Sequence, residues 1–146
     1  MCGIAGIMDL DSGPYDNLAG HLQVMNTIQA HRGPDDQNLW THDGQSVGFA
    51  HRRLSIIDLE SGAQPMTDAA GNTICYNGAI YNYIELREEL KGGYSFRTNS
   101  DTEVILAAYE KWGVECVQHL RGMFALAIWD GQAERLFCAR DRFGIK

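Results

Sequence analysis

The stretch CGIAGIMD (residues 2–9) opens the chain with small and branched apolar residues and carries no charge before its final aspartate. It is followed by DSGP (residues 11–14), residue types that favour turns. Together they predict a first strand that ends in a turn. The apolar run has no positively charged region ahead of it, so it does not match an export signal. We therefore expect Cys2 to belong to folded structure.

Helical and strand periods alternate from there on. Leu18, Leu22, Met25 and Ile28 fall on one face of a predicted helix, which Gly33-Pro34 ends. Branched apolar runs and turn residues predict the next elements: a strand over residues 47–57, a loop over residues 62–70, a short strand over residues 74–76 that breaks at the turn dipeptide Asn77-Gly78, and a helix over residues 83–91.

The last third of the chain begins with a helix-start signal. Ser100 can cap a helix, and Glu103 can complete a capping box. Residues 123–129 and 135–139 then form a predicted hairpin across Asp130-Gly131. Strands at both ends with helices between them predict an α+β fold with layered sheets. We interpret residues 1–146 as one domain, and because an isolated hairpin is marginally stable we expect it to continue beyond Lys146.

Composition and charge exclude several classes of function. The 146 residues are 45% hydrophobic and 21% charged, as in an ordinary globular protein. A net charge of -7 without a basic run argues against nucleic-acid binding, because such proteins need a patch that neutralises phosphates. No apolar run approaches the roughly 20 residues that span a bilayer. We therefore expect a cytoplasmic protein without nucleic-acid or membrane partners.

Four cysteines occur, and no two of them are close in sequence. A zinc site is therefore not expected, and reduced thiols are the default for a chain without an export signal. Cys75, Cys116 and Cys138 lie in apolar runs and are predicted core residues. Cys2 differs because of its position in the chain.

Cys2 becomes the first residue once Met1 is removed, and we expect that removal. A first-residue thiol carries an α-amine on the same residue, whereas an internal thiol needs a neighbouring base. The reference pKa values of a thiol and an α-amine, about 8.5 and about 8, make proton exchange between them nearly balanced. No histidine base is then required, so we interpret His31 and His51 as structural. Taken alone, however, such a cysteine is more often a buried strand residue.

Eight ordered motifs change that balance. They are CGIAGI (2–7), HRGPDD (31–36), AHRRLSIIDL (50–59), GAQPM (62–66), YNGAIYNY (76–83), SDTEVIL (100–106), RGMFALAIWD (121–130) and ARDRFGIK (139–146). Over essentially the whole chain they resemble the glutaminase domain of glutamine-hydrolysing asparagine synthetases, a class II glutamine amidotransferase and N-terminal-nucleophile hydrolase. The resemblance implies a four-layer α/β/β/α sandwich, C-terminally truncated, with the nucleophile on an inner strand.

The resemblance also implies a role for each matching residue. Cys2 is the catalytic nucleophile, and Asn77, through its amide, and Gly78, through its backbone N–H, form the oxyanion hole. Arg53, Asn77 and Asp101 bind the substrate: Arg53 pairs with the α-carboxylate of glutamine, and Asp101 holds its α-ammonium. The residue types suit these roles, because preorganised donors stabilise a tetrahedral oxyanion and a guanidinium holds a carboxylate bidentately.

Each of these residues has a simpler interpretation when taken singly. Asn77-Gly78 can be only a turn, and Arg53 can form a surface ion pair with Asp58. Asp101 can sit in the first turn of a helix, where the helix dipole favours an acidic residue. The ordered set of motifs is what favours the functional interpretation.

One position departs from the family pattern. The resemblance leads us to expect YNGEIYNY, with a glutamate that helps bind the substrate ammonium, where this chain has Ala79. One hypothesis is an active glutaminase that supplies ammonia for ATP-dependent asparagine synthesis from aspartate. The alternative is a glutaminase-impaired domain kept for structural packing in an ammonia-using amide ligase. Ala79 favours the alternative, and the remaining site residues favour the first hypothesis.

The resemblance places the cofactors outside this segment. No GxxxxGK[ST] phosphate-binding loop occurs in these residues, and ATP and magnesium are expected in the absent C-terminal synthetase domain. No metal or cofactor is expected in the segment itself. Its expected partners are glutamine and the synthetase domain, and a homodimer is one further expectation. Other class II enzymes share the CGI start, but RLSIIDL, GAQPM and IYNY favour the asparagine synthetase branch.

Overall fold

The computed structural model describes residues 2–10, 14–54 and 62–146. Strands and helices alternate along these ranges. The strands are β1 (Gly3–Met8), β2 (Asp36–Thr41), β3 (Val47–Arg53), β4 (Met66–Thr67), β5 (Thr73–Ile80), β6 (Gly122–Asp130) and β7 (Arg135–Arg140). The helices are α1 (Leu18–Ile28), α2 (Tyr83–Leu90), α3 (Asp101–Trp112) and α4 (Cys116–His119), with 3₁₀ turns at Ala30–Arg32 and Gly113–Glu115. The chain divides into two compact units, β1 to β3 with α1 and β4 to β7 with α2 to α4.

The first unit is an antiparallel sheet in the order β1-β3-β2, with α1 packed on one face. Side chains alternate between the two faces of each strand, and Ala50 of β3 packs with Leu18 and Leu22 of α1. Gly48 lies on the same face, where a Cβ would meet the Cδ1 atom of Leu22 at 2.6 Å. The close approach of α1 therefore leaves no room for a side chain at Gly48.

The face of β3 that points away from α1 carries Phe49, His51 and Arg53, all of them buried. Phe49 stacks on Trp40 of β2 with ring centroids 5.4 Å apart. Because Gly6 of β1 lies opposite Phe49, the even-numbered residues of β1 share this face. Cys2 lies one residue before β1, and as an even-numbered residue it is expected on the same face.

The second unit is an antiparallel sheet in the order β4-β5-β6-β7. Its central strands pair without interruption, from Thr73 opposite Trp129 to Ile80 opposite Gly122. The even-numbered residues of β5 face α3 and belong to one core with it, which contains Ile74, Tyr76, Ile80 and residues 104–108. This core fixes α3 against the middle of β5.

Asn77-Gly78 is not a turn, so the prediction that a strand breaks there is wrong. Both residues lie inside β5, opposite Ala125 and Phe124 of β6. A Cβ at Gly78 would lie 2.3 Å from the carbonyl oxygen of Met123, so the glycine permits a close approach of β6 and not a chain reversal. Pairing along the whole length of two strands outweighs the turn preference of the dipeptide.

The predicted first helix is confirmed, but its buried face differs from the predicted one. α1 ends at Ile28, and the Ile28 side chain is 69% exposed. Asn26 is buried in its place, along with Leu18 and Leu22. The buried residues thus follow a strict four-residue spacing, because α1 presents a narrow stripe to the sheet.

The predicted start of α3 is confirmed in part. The Ser100 hydroxyl accepts a hydrogen bond from the Thr102 N–H at 3.1 Å and caps the helix. Glu103 does not complete a capping box with Ser100. Its carboxylate accepts instead from the backbone N–H groups of Arg97 and Thr98, at 2.8 and 2.7 Å. The buried glutamate thereby shapes the segment that leads into α3.

The remaining predictions have mixed outcomes. The helix over residues 83–91 and the hairpin of β6 and β7 are confirmed, but the predicted loop over residues 62–70 contains β4, and β2 escaped prediction. Cys75 and Cys116 are buried as predicted, whereas Cys138 is exposed because β7 is an edge strand. Residues 11–13 of the predicted turn and residues 55–57 of the predicted strand lie outside the described residues.

Among the helices described here, none has the length and apolar character needed to cross a membrane.

Candidate active site

Cys2, the predicted nucleophile, and Arg53, which is predicted to bind the α-carboxylate of glutamine, are neighbours in the first unit. Gly3 pairs with Arg52 in the antiparallel ladder, so the register, continued by one residue, places Cys2 directly opposite Arg53. Residues opposite each other in such a ladder have Cβ atoms about 4.5–5.5 Å apart and share one face of the sheet. The sheet therefore places Cys2 and Arg53 on the same face, the one that points away from α1.

The Cys2 thiol is held by the backbone at the end of β3. The Leu54 N–H donates a hydrogen bond to Cys2 Sγ at 3.4 Å, and the thiol can donate to the Leu54 carbonyl oxygen at 3.6 Å. Cys2 is half-buried, so its sulfur is both oriented and reachable. Sequence reasoning missed Leu54, because the contribution is a backbone one that no residue type signals.

Arg53 is buried within the central strand of its sheet, with 8% of its surface exposed. An ion pair of Arg53 would therefore be a buried one, and its predicted partner Asp58 lies outside the described residues, so that pairing stays a prediction. The adjacent Arg52 points to the α1 face, where its Nε donates to the Asn26 carbonyl oxygen at 2.8 Å. Two consecutive arginines thus occupy opposite faces of β3.

The two histidines have different surroundings. His51 is buried on the same face as Arg53, opposite Ile4 of β1. His31 is exposed in a 3₁₀ turn, and its ring Nδ1 lies 3.2 Å from the Ile28 carbonyl oxygen. Their predicted structural role stays a prediction.

The backbone N–H of Gly78 points away from β6. Its partner Phe124 turns both backbone groups toward Asp141: the Phe124 N–H donates to Oδ2 at 3.2 Å, and the Phe124 carbonyl accepts from the Asp141 N–H at 2.8 Å. A strand residue directs its N–H and C=O to the same side, so Gly78 and Phe124 form a pair without mutual hydrogen bonds. The Gly78 N–H is therefore directed to the opposite edge of β5, beyond Ile74, where the two-residue strand β4 has ended.

Asn77 and Ala79 lie on the face of β5 that points away from α3, and both are half-buried. Asn77 can present its side-chain amide on this face, while the neighbouring Gly78 presents its N–H at the strand edge. The side chain of Ala79 occupies the position where the family pattern has a glutamate. The second unit thus holds the two predicted oxyanion donors on consecutive residues.

Asp101 is the first residue of α3, and its carboxylate is bound to β5. Oδ2 accepts hydrogen bonds from the Tyr76 hydroxyl at 2.8 Å and from the Ile80 N–H at 3.0 Å. Burial raises the pKa of the Asp101 carboxyl, whereas the Ile80 N–H, the Tyr76 hydroxyl and the N–H groups of the first turn of α3 act in the opposite direction. Asp101 lies in the first turn of α3, as the helix-start interpretation predicts, and its role in binding the substrate stays a prediction.

The Asp101 carboxylate and the Gly78 N–H lie along the same edge of β5. Ile80 has the same parity along the strand as Gly78, so its N–H points to the same edge, and the Asp101 carboxylate occupies it. Sequence reasoning missed Tyr76, which links the two elements. A signal was available, because a buried tyrosine hydroxyl usually finds a hydrogen-bond partner.

Metal binding has no support in the geometry of the described part of the chain. No group of three or more His, Cys, Asp or Glu side chains is placed there to hold a metal ion.

The fold matches that of a solved amidotransferase. The structure of glutamine phosphoribosylpyrophosphate (PRPP) amidotransferase from B. subtilis, complexed with ADP and GMP, aligns with a TM-score of 0.76 at 18% sequence identity. The match covers 100% of this chain and 38% of that one. The chain thus shares the fold of this amidotransferase, and the predicted α+β class is confirmed.

The sequence comparisons identify the family. The glutamine amidotransferase domain family matches residues 1–146, and the chain belongs to it. Asparagine synthetase [glutamine-hydrolyzing] 1 of Bacillus subtilis (strain 168) is 48% identical over 151 residues, and asparagine synthetase [glutamine-hydrolyzing] 3 of the same organism is 43% identical over 150 residues. Each match covers 100% of this chain, which spans 23% and 24% of those relatives. The predicted resemblance to the glutaminase domains of these synthetases is confirmed.

Proposed function

We propose that the chain hydrolyses glutamine to glutamate and ammonia, and that it forms the glutaminase part of a glutamine-hydrolysing asparagine synthetase. The observation that carries the proposal is the pair of Gly3 and Arg52 in a chain of the amidotransferase family, because this register, continued by one residue, sets Cys2 opposite Arg53. A thiol beside a guanidinium suits an amide substrate that also carries a carboxylate. The names of the relatives contain glutamine hydrolysis, and none of the comparisons supports the glutaminase-impaired alternative.

In the proposed reaction Cys2 is both nucleophile and base. The thiol proton passes to its own α-amine, and the sulfur attacks the side-chain amide carbon of glutamine, which forms a C–S bond and an oxyanion. The amide of Asn77 and the N–H of Gly78 stabilise that oxyanion. The C–N bond then breaks, the proton returns from the α-ammonium of Cys2 to the leaving ammonia, and water hydrolyses the thioester to glutamate.

The ends of the substrate are recognised separately in this proposal. The Arg53 guanidinium binds the α-carboxylate of glutamine, and the Asp101 carboxylate binds its α-ammonium. The burial of Arg53 supports its role, since a desolvated guanidinium gains more from a carboxylate partner than an exposed one does. The role of Asp101 in binding the α-ammonium is supported by its position, because its carboxylate lies on the same edge of β5 as the Gly78 N–H.

The proposal extends to the longer protein of which such domains form part. ATP and magnesium are expected to act in a synthetase domain that joins the ammonia to aspartate, and this chain would need no cofactor of its own. A cytoplasmic location and a homodimer belong to the same proposal. The relatives' greater length supports a partner domain, because the chain spans about a quarter of the length of the curated relatives described above.

Removal of the nucleophile tests the proposal. Cys2→Ala in the full-length protein is expected to abolish glutamine-dependent ammonia release and to leave asparagine synthesis from added ammonia largely intact. Cys138→Ala is the matched control, because Cys138 is an exposed thiol on the edge strand β7. Ammonia release that survives in Cys2→Ala, or that is lost equally in both variants, would contradict the proposed chemistry.

A further inference from the structure

The Asp101 carboxylate accepts hydrogen bonds from two donors that both belong to β5. The Tyr76 hydroxyl and the Ile80 N–H both reach Oδ2, at 2.8 and 3.0 Å. Tyr76 is 2% exposed and Asp101 is 4% exposed, so water cannot easily replace either donor. β5 therefore sets the position of this carboxylate although Asp101 belongs to α3.

We propose that Tyr76 is a positioning residue for recognition of the substrate ammonium, an inference that rests on the proposed role of Asp101. The two donors on Oδ2 fix the rotation of the carboxylate, and with it the direction from which the carboxylate meets the cation. The hydroxyl of Tyr76 also offsets part of the cost of burying a charged group. Tyr76 itself touches no substrate atom in this proposal.

The strand that holds the carboxylate also carries the proposed oxyanion donors. Tyr76 immediately precedes Asn77 and Gly78 in β5. The distance from the ammonium site to the oxyanion site is thereby set within one strand, paired along its full length with β6. The Tyr76 hydroxyl fastens the tip of α3 to that strand. Its loss would let the ammonium site shift relative to the oxyanion donors, while the donors themselves stay in place.

A purely structural role for the Tyr76 hydroxyl is the competing explanation, and the chain offers a matched control. Tyr109 is also buried, and its hydroxyl donates to the carboxylate Oδ2 of Asp130 at 3.1 Å while it accepts from Arg135 at 2.9 Å. Tyr109→Phe thus removes a comparable tyrosine–aspartate hydrogen bond from the same unit. It leaves the strand edge that holds Asp101 untouched.

The decisive experiment compares two substrates that differ only in the ammonium group. Hydrolysis of glutamine and of glutaramate, the same amide without the α-ammonium, is measured as ammonia release by the full-length protein. Tyr76→Phe is expected to lower kcat/KM for glutamine about tenfold, the lower end of the value of a hydrogen bond to a charged group, because the Ile80 N–H remains. Most of the loss should appear in KM, since the ammonium is bound alike in ground and transition states. The kcat/KM for glutaramate should stay near its wild-type value.

A double-mutant cycle with Asp101→Asn separates positioning from bulk stability. Asp101→Asn removes the charge that the ammonium needs, so adding Tyr76→Phe to it should lower glutamine hydrolysis little further. Tyr109→Phe should leave the ratio of the two substrates unchanged whatever it does to the melting temperature.

The outcomes distinguish this inference from the proposed function. Equal losses on both substrates in Tyr76→Phe, or no loss on glutamine, would overturn the positioning role while leaving the glutaminase proposal intact. Independent effects of Tyr76→Phe and Asp101→Asn would overturn it as well. Wild-type protein that releases no ammonia from glutamine, or does so without Cys2, would overturn the proposed function and with it this inference.

Discussion

Cys2 stands opposite Arg53 across the β1–β3 ladder, one residue beyond the pair formed by Gly3 and Arg52. The relationship joins the first residue of the predicted site to one about fifty positions later, through the register of two antiparallel strands. Register is strongly specified here because a one-residue slip would move every side chain of β1 to the other face. The register that buries Phe49 and Ala50 on opposite faces thus also sets Cys2 and Arg53 on the same face.

Arg53→Lys should weaken glutamine binding. A lysine ammonium keeps the charge but acts as a point charge, whereas the guanidinium can hold a carboxylate bidentately. We expect KM for glutamine to rise about tenfold or more, with a smaller change in kcat. Steady-state ammonia release measures both constants. Arg52→Lys is the control, because Arg52 lies on the α1 face and donates a hydrogen bond to the Asn26 carbonyl oxygen. An equal rise in KM in Arg52→Lys would contradict a specific role of Arg53 in binding glutamine.

Gly78→Ala should destabilise the second unit. The added Cβ would lie 2.3 Å from the Met123 carbonyl oxygen, and backbone cannot yield as a flexible side chain can. We expect a loss of about 1–3 kcal/mol in the free energy of unfolding, the usual cost of overpacking. Urea denaturation gives the value. Gly92→Ala should cost little by comparison, because no atom lies within 4 Å of a Cβ at Gly92, and equal losses would argue against the close packing of β5 on β6.

Ala79→Glu should improve glutamine use. The substitution restores a carboxylate that the family pattern places beside the substrate ammonium, and a hydrogen bond to a charged group is worth about 1.5–3 kcal/mol. Because water recovers part of this in the alanine protein, we expect kcat/KM for glutamine to rise about tenfold, mainly through KM. Ala69→Glu, at an exposed position of the same unit, is the control for added charge. Unchanged kinetics in Ala79→Glu would place residue 79 away from the substrate.

Asp141→Asn should reduce stability at neutral pH and lose its effect in acid. The Ile145, Lys146, Phe124 and Phe143 N–H groups donate to the Asp141 carboxylate, and the first of these is the largest cause that lowers its pKa. A carboxyl group whose pKa is lowered on folding stabilises the fold above its unfolded value of about 3.9, and this contribution is lost as the pH falls through the folded value.

Denaturation at neutral pH and near pH 2 measures that difference. Wild type should exceed Asp141→Asn in stability at neutral pH and approach it in acid. Asp16→Asn, at an exposed position, should show no such pH dependence. A gap between wild type and Asp141→Asn that persists unchanged in acid would mean that the shape of the side chain, and not its charge, holds this turn.

Local sequence patterns predicted the elements whose stability is local. The α3 start followed from Ser100, and β1 followed from its apolar run, since capping and strand preference act over a few residues. The face of α1 was mispredicted because burial of Asn26 and exposure of Ile28 depend on where the sheet lies. Cys138 was mispredicted for the same kind of reason, because an apolar run does not reveal which strand ends a sheet.

The candidate site shows the same division. Cys2 and Arg53 could be named from ordered motifs, but their alignment follows from a ladder that only the folded chain reveals. The turn predicted at Asn77-Gly78 is wrong because the glycine is needed for a different reason. The Met123 carbonyl oxygen of β6 lies too close to allow a side chain at Gly78. The partners of Tyr76 and of the Leu54 N–H escaped prediction, since hydrogen bonds across 25 and 52 residues do not reveal from the local sequence which residues they join.

The alternation along β5 also separates what can vary from what cannot. Tyr76, Gly78 and Ile80 are constrained by the helix layer and by β6, whereas Asn77 and Ala79 face the other way and are half-buried. Randomising position 79 would explore substrate preference with little risk to the scaffold, whereas Asn77 must be kept because it is a proposed oxyanion donor. Randomising the even positions would mostly yield unfolded chains. Substrate preference in this domain can therefore be altered at position 79 without disturbing the residues that hold β5 in place.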